Sequence, residues 1–473
     1  MNGMRNILLI IIGFLTVIVS SCIDDEFTDS PSATLTFSKD TVSFGTVFTD
    51  LTTPTARLVV ANHNKKGVSI SSIRFRYPDT PFRLNVDGVS GLEFNDVEIR
   101  GRDSIYIFIE CYIDADNSVE PRRVADQLEF VTNGVTQEVE VEAWGWNVTR
   151  LKGETITKNT RFTAERPYIV FDSLVVEKGA TLTIDPGTML LFHDKAGMTV
   201  RGTLRAIGEP GNMIQMRGDR LDDVLPDIGY DIMAGQWKGI TIDPESFGNR
   251  MEYVDMRSTE IGLRVEFCGD MVRQKLTLIN CWLHNSKSTV LESLFAKVDA
   301  YGCCFSEAAE AVVRLLGGVH KFVQCTIANY YLFSSLPDSN LALYHVLPSQ
   351  ADEIDLPLMV ASFENGILWG EIGQPINIGD LTDSDVYIRD MLIKADGTDD
   401  DHFINCLWNE DPRFYTVRSE YYFNYRLQPD SPAIGRGNPS YVNSMCLFDM
   451  DGVDRLADGN PALGAYAFIP VEE

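Results

Sequence analysis

The chain has 473 residues, 44% of them hydrophobic and 23% charged, which suits two or three domains of ordinary globular composition. Its 68 acidic side chains outnumber 40 basic ones, for a formal charge of −28. That balance excludes a nucleic-acid partner held by a basic stripe and implies a solvated, self-repelling surface.

Met4 and Arg5 lead into an apolar run over 7–19. It is shorter than the roughly 20 residues of a membrane-spanning helix and suits the centre of a signal peptide. The run ends "VSSC", which resembles a bacterial lipobox. The resemblance implies that a leader over 1–21 is removed and that Cys22 is acylated. "IDDEF" follows and resembles the surface-export signal of Bacteroidetes-type lipoproteins. The implied location is the outer membrane, with Cys22 held in lipid and the protein exposed at the cell surface. Residues 22–32, polar and ending "DSPS", read as a lipidated tether.

Residues 33–147 carry strand signals one after another. "SIYIFIEC" places Ile105, Ile107, Ile109 and Cys111 on one face, and "QEVEVEAW" turns Val139, Val141 and Ala143 inward. "ANHNKKG", "NVDG" and "TNG" break the strands with turns. The pattern predicts an Ig-like β-sandwich. Cys111 is its one cysteine, so no disulfide can join the two sheets. "DTVSFGTVFTD" and the segment after it resemble the Ig-like modules found behind lipobox cysteines, which implies a spacer.

Over 150–420 a period replaces the hairpins. Thr181-Leu182 returns as Thr203-Leu204, and Cys281, Cys303 and Cys325 stand 22 residues apart. Leu278, Ala300 and Phe322 keep the same step, as do Leu283, Phe305 and Ile327. One turn of a parallel β-helix has this length, and each turn must stack on neighbours to bury its inward residues. The pattern returns at Gly366 and Cys406 after longer steps, so insertions or untraced turns lie across 330–357 and 370–401. Cys303 faces inward between Cys281 and Cys325. Cys304 then faces outward, where it is the expected reactive thiol.

"LVVEKGATLTIDPGTMLLF", "GTLRAIGEP" and "GQWKGITI" resemble the right-handed parallel β-helix (pectin-lyase-like) family. "YRLQPDSPAIGRGN" and "DMDGVDRLADGNPALGAYAF", within 421–473, resemble the closing segment of bacterial β-helix surface proteins. The expected fold is all-β: an Ig-like sandwich followed by a right-handed parallel β-helix.

Chemistry is sparse by comparison. The "NTD", "GHG" and "RIK" strings of polygalacturonase-like sites are absent, as are paired-histidine metal motifs. The insertion at 217–237 interrupts the repeat and gathers Asp219, Asp222, Asp223, Asp227 and Asp231 near Trp237. Clustered carboxylates suit Ca²⁺ and an aromatic suits a glycan; a solvated loop over the helix edge is the alternative. "DMDGVD" lacks the glycine and glutamate spacing of an EF-hand and reads as a structural turn. His284 and Lys287 line a groove or, as the plainer reading, sit in a surface turn.

The expected work is non-catalytic binding of a polysaccharide or a partner surface along the helix flank. The alternative is a polysaccharide lyase or glycoside hydrolase acting on acidic glycans, possible with Ca²⁺ as bridge.

Overall fold

In a computed structural model the chain divides into two compact units, Met1–Asn147 and Val148–Glu473. The described residues are 26–225, 228–335, 337, 339–344, 358–373, 375–378, 384–419 and 421–470. The leader over 1–21, Cys22 and Asp227 lie outside them.

In the first unit, alternation of apolar and polar residues makes two packed sheets. One orders Thr36–Phe37, Ala56–Asn62, Asp103–Cys111, Phe82–Val86 and Val89–Gly91. The other orders Thr41–Phe48, Val135–Trp146, Arg122–Thr132 and Val68–Phe75, with Glu93–Phe94 and Val97–Ile99 both on the last. Neighbours run antiparallel except where Thr41–Phe48 meets Val135–Trp146. Ile107, Ile109, Cys111, Val139, Val141 and Ala143 are fully buried between the sheets. Outward Glu138, Glu140 and Glu142 pair with Arg76 and Arg123. This is the Ig-like sandwich that the alternation predicts.

The second unit is a parallel β-helix. Leu182 lies beside Leu204, Leu278 beside Ala300 and Ala300 beside Phe322. Leu283, Phe305 and Ile327 form another column. The 22-residue step is therefore one turn, and its inward columns fill a continuous apolar core.

One corner explains the residues that precede Cys281, Cys303, Cys325 and Cys406. Tyr253, Asn280, Gln324, Asn365, Asp390 and Asn405 all have φ between 47° and 56°, and Gly302 has 64°. Left-handed backbone favours Gly, Asn and Asp, and the next residue in each turn points inward. The longer steps have two causes. Phe322 pairs directly with Phe363, so the step between them carries an insertion. Between Gly366 and Cys406 a further turn intervenes, with Phe363 on Ile388 and Ile388 on Phe403.

Cys281 and Cys303 are fully buried in this interior and Cys325 is 3% exposed. All are free thiols. The Cys281 thiol donates to the Met251 and Ile279 carbonyls at 3.3 Å, and Cys303 donates to Tyr301 at 3.4 Å. Small hydrophobes with weak donors suit a narrow core.

The closing segment lies along a flank and not across an end. The hairpin of Phe414–Ser419 and Tyr422–Leu427 starts it. Beyond the hairpin, Asp449 accepts from Tyr253 Oη at 3.4 Å, and Phe448 accepts from Asn280 at 3.0 Å. Ala465 N donates to Thr326 Oγ1 at 3.0 Å, and Asn438 N donates to Asn365 Oδ1 at 2.8 Å. Arg455, itself buried, donates to the Gly464 and Ala465 carbonyls at 3.1 and 2.6 Å. Beneath the segment a second apolar layer joins Cys304, Ala328, Ile367 and Leu392 to Tyr425, Met450, Leu463 and Tyr466.

That layer corrects one expectation. Cys304 faces away from the helix interior, opposite to Cys303, yet it is fully buried because the closing segment covers it. Burial pushes its thiol well above the ordinary range. It is not the reactive thiol of the pair.

Candidate functional site

Three stacked strands carry the site: Val254–Thr259, Trp282–Ser286 and Cys304–Ala308. Their outward positions stand in register. Asp255, Trp282 and Cys304 form one column, and Arg257, His284 and Ser306 the next. Strand alternation makes both columns face away from the core.

Side chains link these columns into a network. Trp282 and His284 stack with ring centroids 4.1 Å apart, and Trp282 Nε1 donates to Ser306 Oγ at 3.0 Å. His284 Nε2 lies 3.2 Å from Asp255 Oδ1, and Arg257 is paired with Asp255. Burial alone would raise the Asp255 carboxyl, but Arg257 and His284 outweigh it and hold it at about 2.

Past these columns the chain turns a second left-handed corner at Ser258, Asn285 and Glu307, with φ of 66°, 57° and 49°. Ser258 Oγ donates to the Asp231 carbonyl at 2.6 Å, and Asn285 Nδ2 donates to Asp231 and Ile232 at 2.9 and 2.6 Å. These bonds seat the short 3₁₀ helix Tyr230–Ile232 of the 217–237 insertion on the helix flank. Glu307 instead accepts from the phenol of Tyr425 in the closing hairpin.

A cleft of about 270 Å³ opens between the insertion and the hairpin. Trp282, His284, Asn285 and Glu307 line it from the strands, and Asp231 and Arg257 from the insertion side. Tyr331 and Phe333 line it after the strand Thr326–Asn329, and Tyr421, Tyr422 and Phe423 from the hairpin. Phe333, Tyr421 and Tyr422 are exposed, Tyr422 to 60%. Glu307 is only 3% exposed, and its Oε2 has no hydrogen-bond partner among the described residues. Burial raises its carboxyl to about 7, and the Ser306 and Tyr425 hydroxyls offset only part of the effect.

The insertion's carboxylates do not converge. Asp219 pairs with His193 at 2.7 Å, Asp222 with Arg220 at 2.5 Å, and Asp231 with Arg257 and Arg217 at 3.3 and 3.5 Å. Asp223 is exposed on a separate two-stranded ribbon, Asp223–Leu225 against Ile228–Gly229. Among the described residues no three His, Cys, Asp or Glu side chains stand together as a metal set. Trp237 is a core residue, 1% exposed and stacked on Phe192 with centroids 4.0 Å apart. It presents no face to a ligand. Among the described candidates of the 217–237 insertion, Asp231 alone lines the cleft.

"DMDGVD" folds as the turn its spacing implies. Asp449 Oδ1 accepts from the Asp451 and Val453 amides at 2.9 and 2.8 Å, and Asp451 pairs with Arg426. His284 lies in the cleft wall and not in a free surface turn.

Sequence reasoning missed Glu307 and every aromatic of the cleft. One signal was available: Glu307 stands 22 residues after Asn285 and 22 before Asn329, a carboxylate between two asparagines at the repeat's own step.

Fold and cleft together define an Ig-like sandwich followed by a parallel β-helix with an aromatic-lined cleft on its flank. No family model matches the chain. A curated relative, Protein bark beetle of Drosophila melanogaster, is 34% identical over 65 residues. That match covers 14% of this chain, which spans only 2% of the relative's length. Among solved structures, a Porphyromonas gingivalis W83 protein of unknown function is 12% identical, covering 27% of this chain and 50% of its own, with a TM-score of 0.18. A PapD-like domain of human CEP192 is 13% identical, covering 27% of this chain and 96% of its own, with a TM-score of 0.19. At these scores neither structure bears on fold or function.

Proposed function

We propose that the protein is a lipid-anchored, surface-exposed glycan-binding protein whose flank cleft takes a short segment of a polysaccharide. The observation that carries this reading is the ring of aromatics around a few polar groups. Trp282, Tyr331, Phe333 and Tyr422 offer flat apolar faces, while His284, Asn285 and Glu307 offer hydrogen-bonding atoms. Sugar rings present the same combination, with apolar C–H faces and hydroxyl edges. A cleft near 270 Å³ is at the small end of ligand pockets, so a short stretch of polymer fills it. Asp231 and Arg257 neutralise one another at the rim, which favours neutral glycans over polyuronates.

The anchor rests on the lipobox resemblance around Cys22 and the acids after it. Cys22→Ser is expected to move the protein from the detergent phase to the aqueous phase in phase partitioning.

A second reading is glycan cleavage, and Glu307 favours it. A buried carboxyl near 7 is what a general acid needs, although hydrolysis also needs a second carboxylate across the bond. One assay separates the readings. The full chain is incubated with mannan, xylan, polygalacturonate and chondroitin sulfate, with and without Ca²⁺, and both pull-down and released ends are measured. Retention without release supports binding. Release of reducing or unsaturated ends overturns the non-catalytic reading. If nothing is retained, contact with other surface proteins is the reading that survives.

A further inference from the structure

We propose, resting on the glycan-binding reading, that Glu307 gates the cleft by proton uptake: glycan is held while its carboxyl is neutral and released when it ionises. Glu307 lies where the stacked strands, the segment after Asn329 and the closing hairpin meet, and it is a wall residue of the cleft. Tyr425, which belongs to the hairpin that also supplies Tyr421, Tyr422 and Phe423, donates to it, and the Ser306 hydroxyl is a second donor.

The surroundings offer an ionised Glu307 little. Arg418, on the hairpin, is a cation that acts on it, but it is paired with Glu371 and donates to the Tyr330 and Tyr331 carbonyls at 3.1 Å. Cys304 on Glu307's own strand and Tyr330 just after the next strand act on the carboxyl, and burial pushes both of their acidic protons upward, so each stays neutral. Across the cleft, Arg257 is committed to Asp255 and Asp231, and His284 to Asp255. Among the described residues an anion at Glu307 is thus buried with two hydroxyl donors and no uncommitted counter-ion.

Two consequences run in the same direction. A neutral sugar entering the cleft displaces the solvent beyond the buried Glu307 and brings no positive charge, so it favours the protonated form. An ionised Glu307 also seeks solvent, which loosens the hairpin that carries three of the cleft aromatics. Protonation and glycan binding therefore reinforce each other through linkage.

The test measures retention of mannan and xylan by the full chain at pH 6.0 and 8.5, for wild type, Glu307→Gln and Tyr425→Phe. Glutamine keeps the neutral shape, so Glu307→Gln is expected to bind equally, within about twofold, at both values. Wild type is expected to bind at least about tenfold more weakly at pH 8.5. Tyr425→Phe, which removes one of the anion's donors, is expected to shift the loss to higher pH. A wild type without pH dependence overturns the gate while leaving the binding reading intact. So does a Glu307→Gln protein that keeps the full fall. If neither glycan is retained by any variant at either pH, the gate and the binding reading fall together.

Discussion

The phenol of Tyr425 donates a hydrogen bond to the Glu307 carboxyl across 118 residues of sequence. It ties the closing hairpin to the stacked strands at the point where the cleft opens. Burial of Glu307 at this junction also sets a pH dependence that is separate from any ligand. Glu307 is raised from 4.5 to about 7 in the fold. Its contribution is therefore complete below about pH 4.5 and is lost as pH rises through 7, an effect of about 3 kcal/mol. Glu307→Gln removes that slope. Denaturant midpoints at pH 5 and pH 8 are expected to differ more in wild type than in the variant; equal differences would mean that Glu307 ionises freely.

Thiol labelling tests the packing of the closing segment. Among the described cysteines Cys406 is half-buried and the other seven are buried. A maleimide under native conditions is expected to modify Cys406 first, with Cys303 and Cys304 reacting together only on unfolding. Peptide mass mapping reads the order. Early modification of Cys304 alone would mean that the segment 428–470 lifts from the flank.

Arg455 is the clamp of that segment. It is buried, and its guanidinium serves the Gly464 and Ala465 carbonyls. Arg455→Met leaves both carbonyls short of a donor and is expected to cost about 2–4 kcal/mol. Limited proteolysis should then cut first within 428–470 while the β-helix persists. Unchanged cleavage would show that the apolar layer alone holds the segment.

At the inner corner, Gly302 replaces the asparagine found one turn earlier. Its φ is 64°, and an added Cβ would lie 2.1 Å from Asn280 Oδ1 and 3.1 Å from an Arg455 nitrogen. Gly302→Ala is expected to destabilise by about 1–3 kcal/mol through backbone strain and the displaced side chain. A thermal melt within error of wild type would contradict this.

The helix was legible because its rule is local. Leu283, Phe305 and Ile327 repeat at one step, and stacking turns that step into a column of contacts. The turn through Ile388 was hidden because it separates Phe363 from Phe403 by steps of unequal length, with no cysteine at its inward corner. The cleft was illegible for a different reason. Asp231, His284, Glu307, Phe333 and Tyr422 come from an insertion, two strands, a connection and a hairpin. No spacing rule brings those segments together; only the packing of the insertion and the closing segment on one flank does. Trp237 misled because the stacking of its ring on Phe192 leaves no trace in a loop rich in aspartate.

The most direct test of the account is glycan retention after trimming the exposed cleft aromatics. Phe333 and Tyr422 are 42% and 60% exposed, so replacing both with alanine leaves the core intact. Retention of mannan or xylan by the full chain at pH 6.0 is measured for wild type and for Phe333→Ala/Tyr422→Ala, with thermal melts to confirm folding. The account predicts a normal melt and at least about tenfold weaker retention, a loss of about 1.4 kcal/mol or more. A folded double variant that retains glycan as well as wild type would contradict the assignment of this cleft as the binding site.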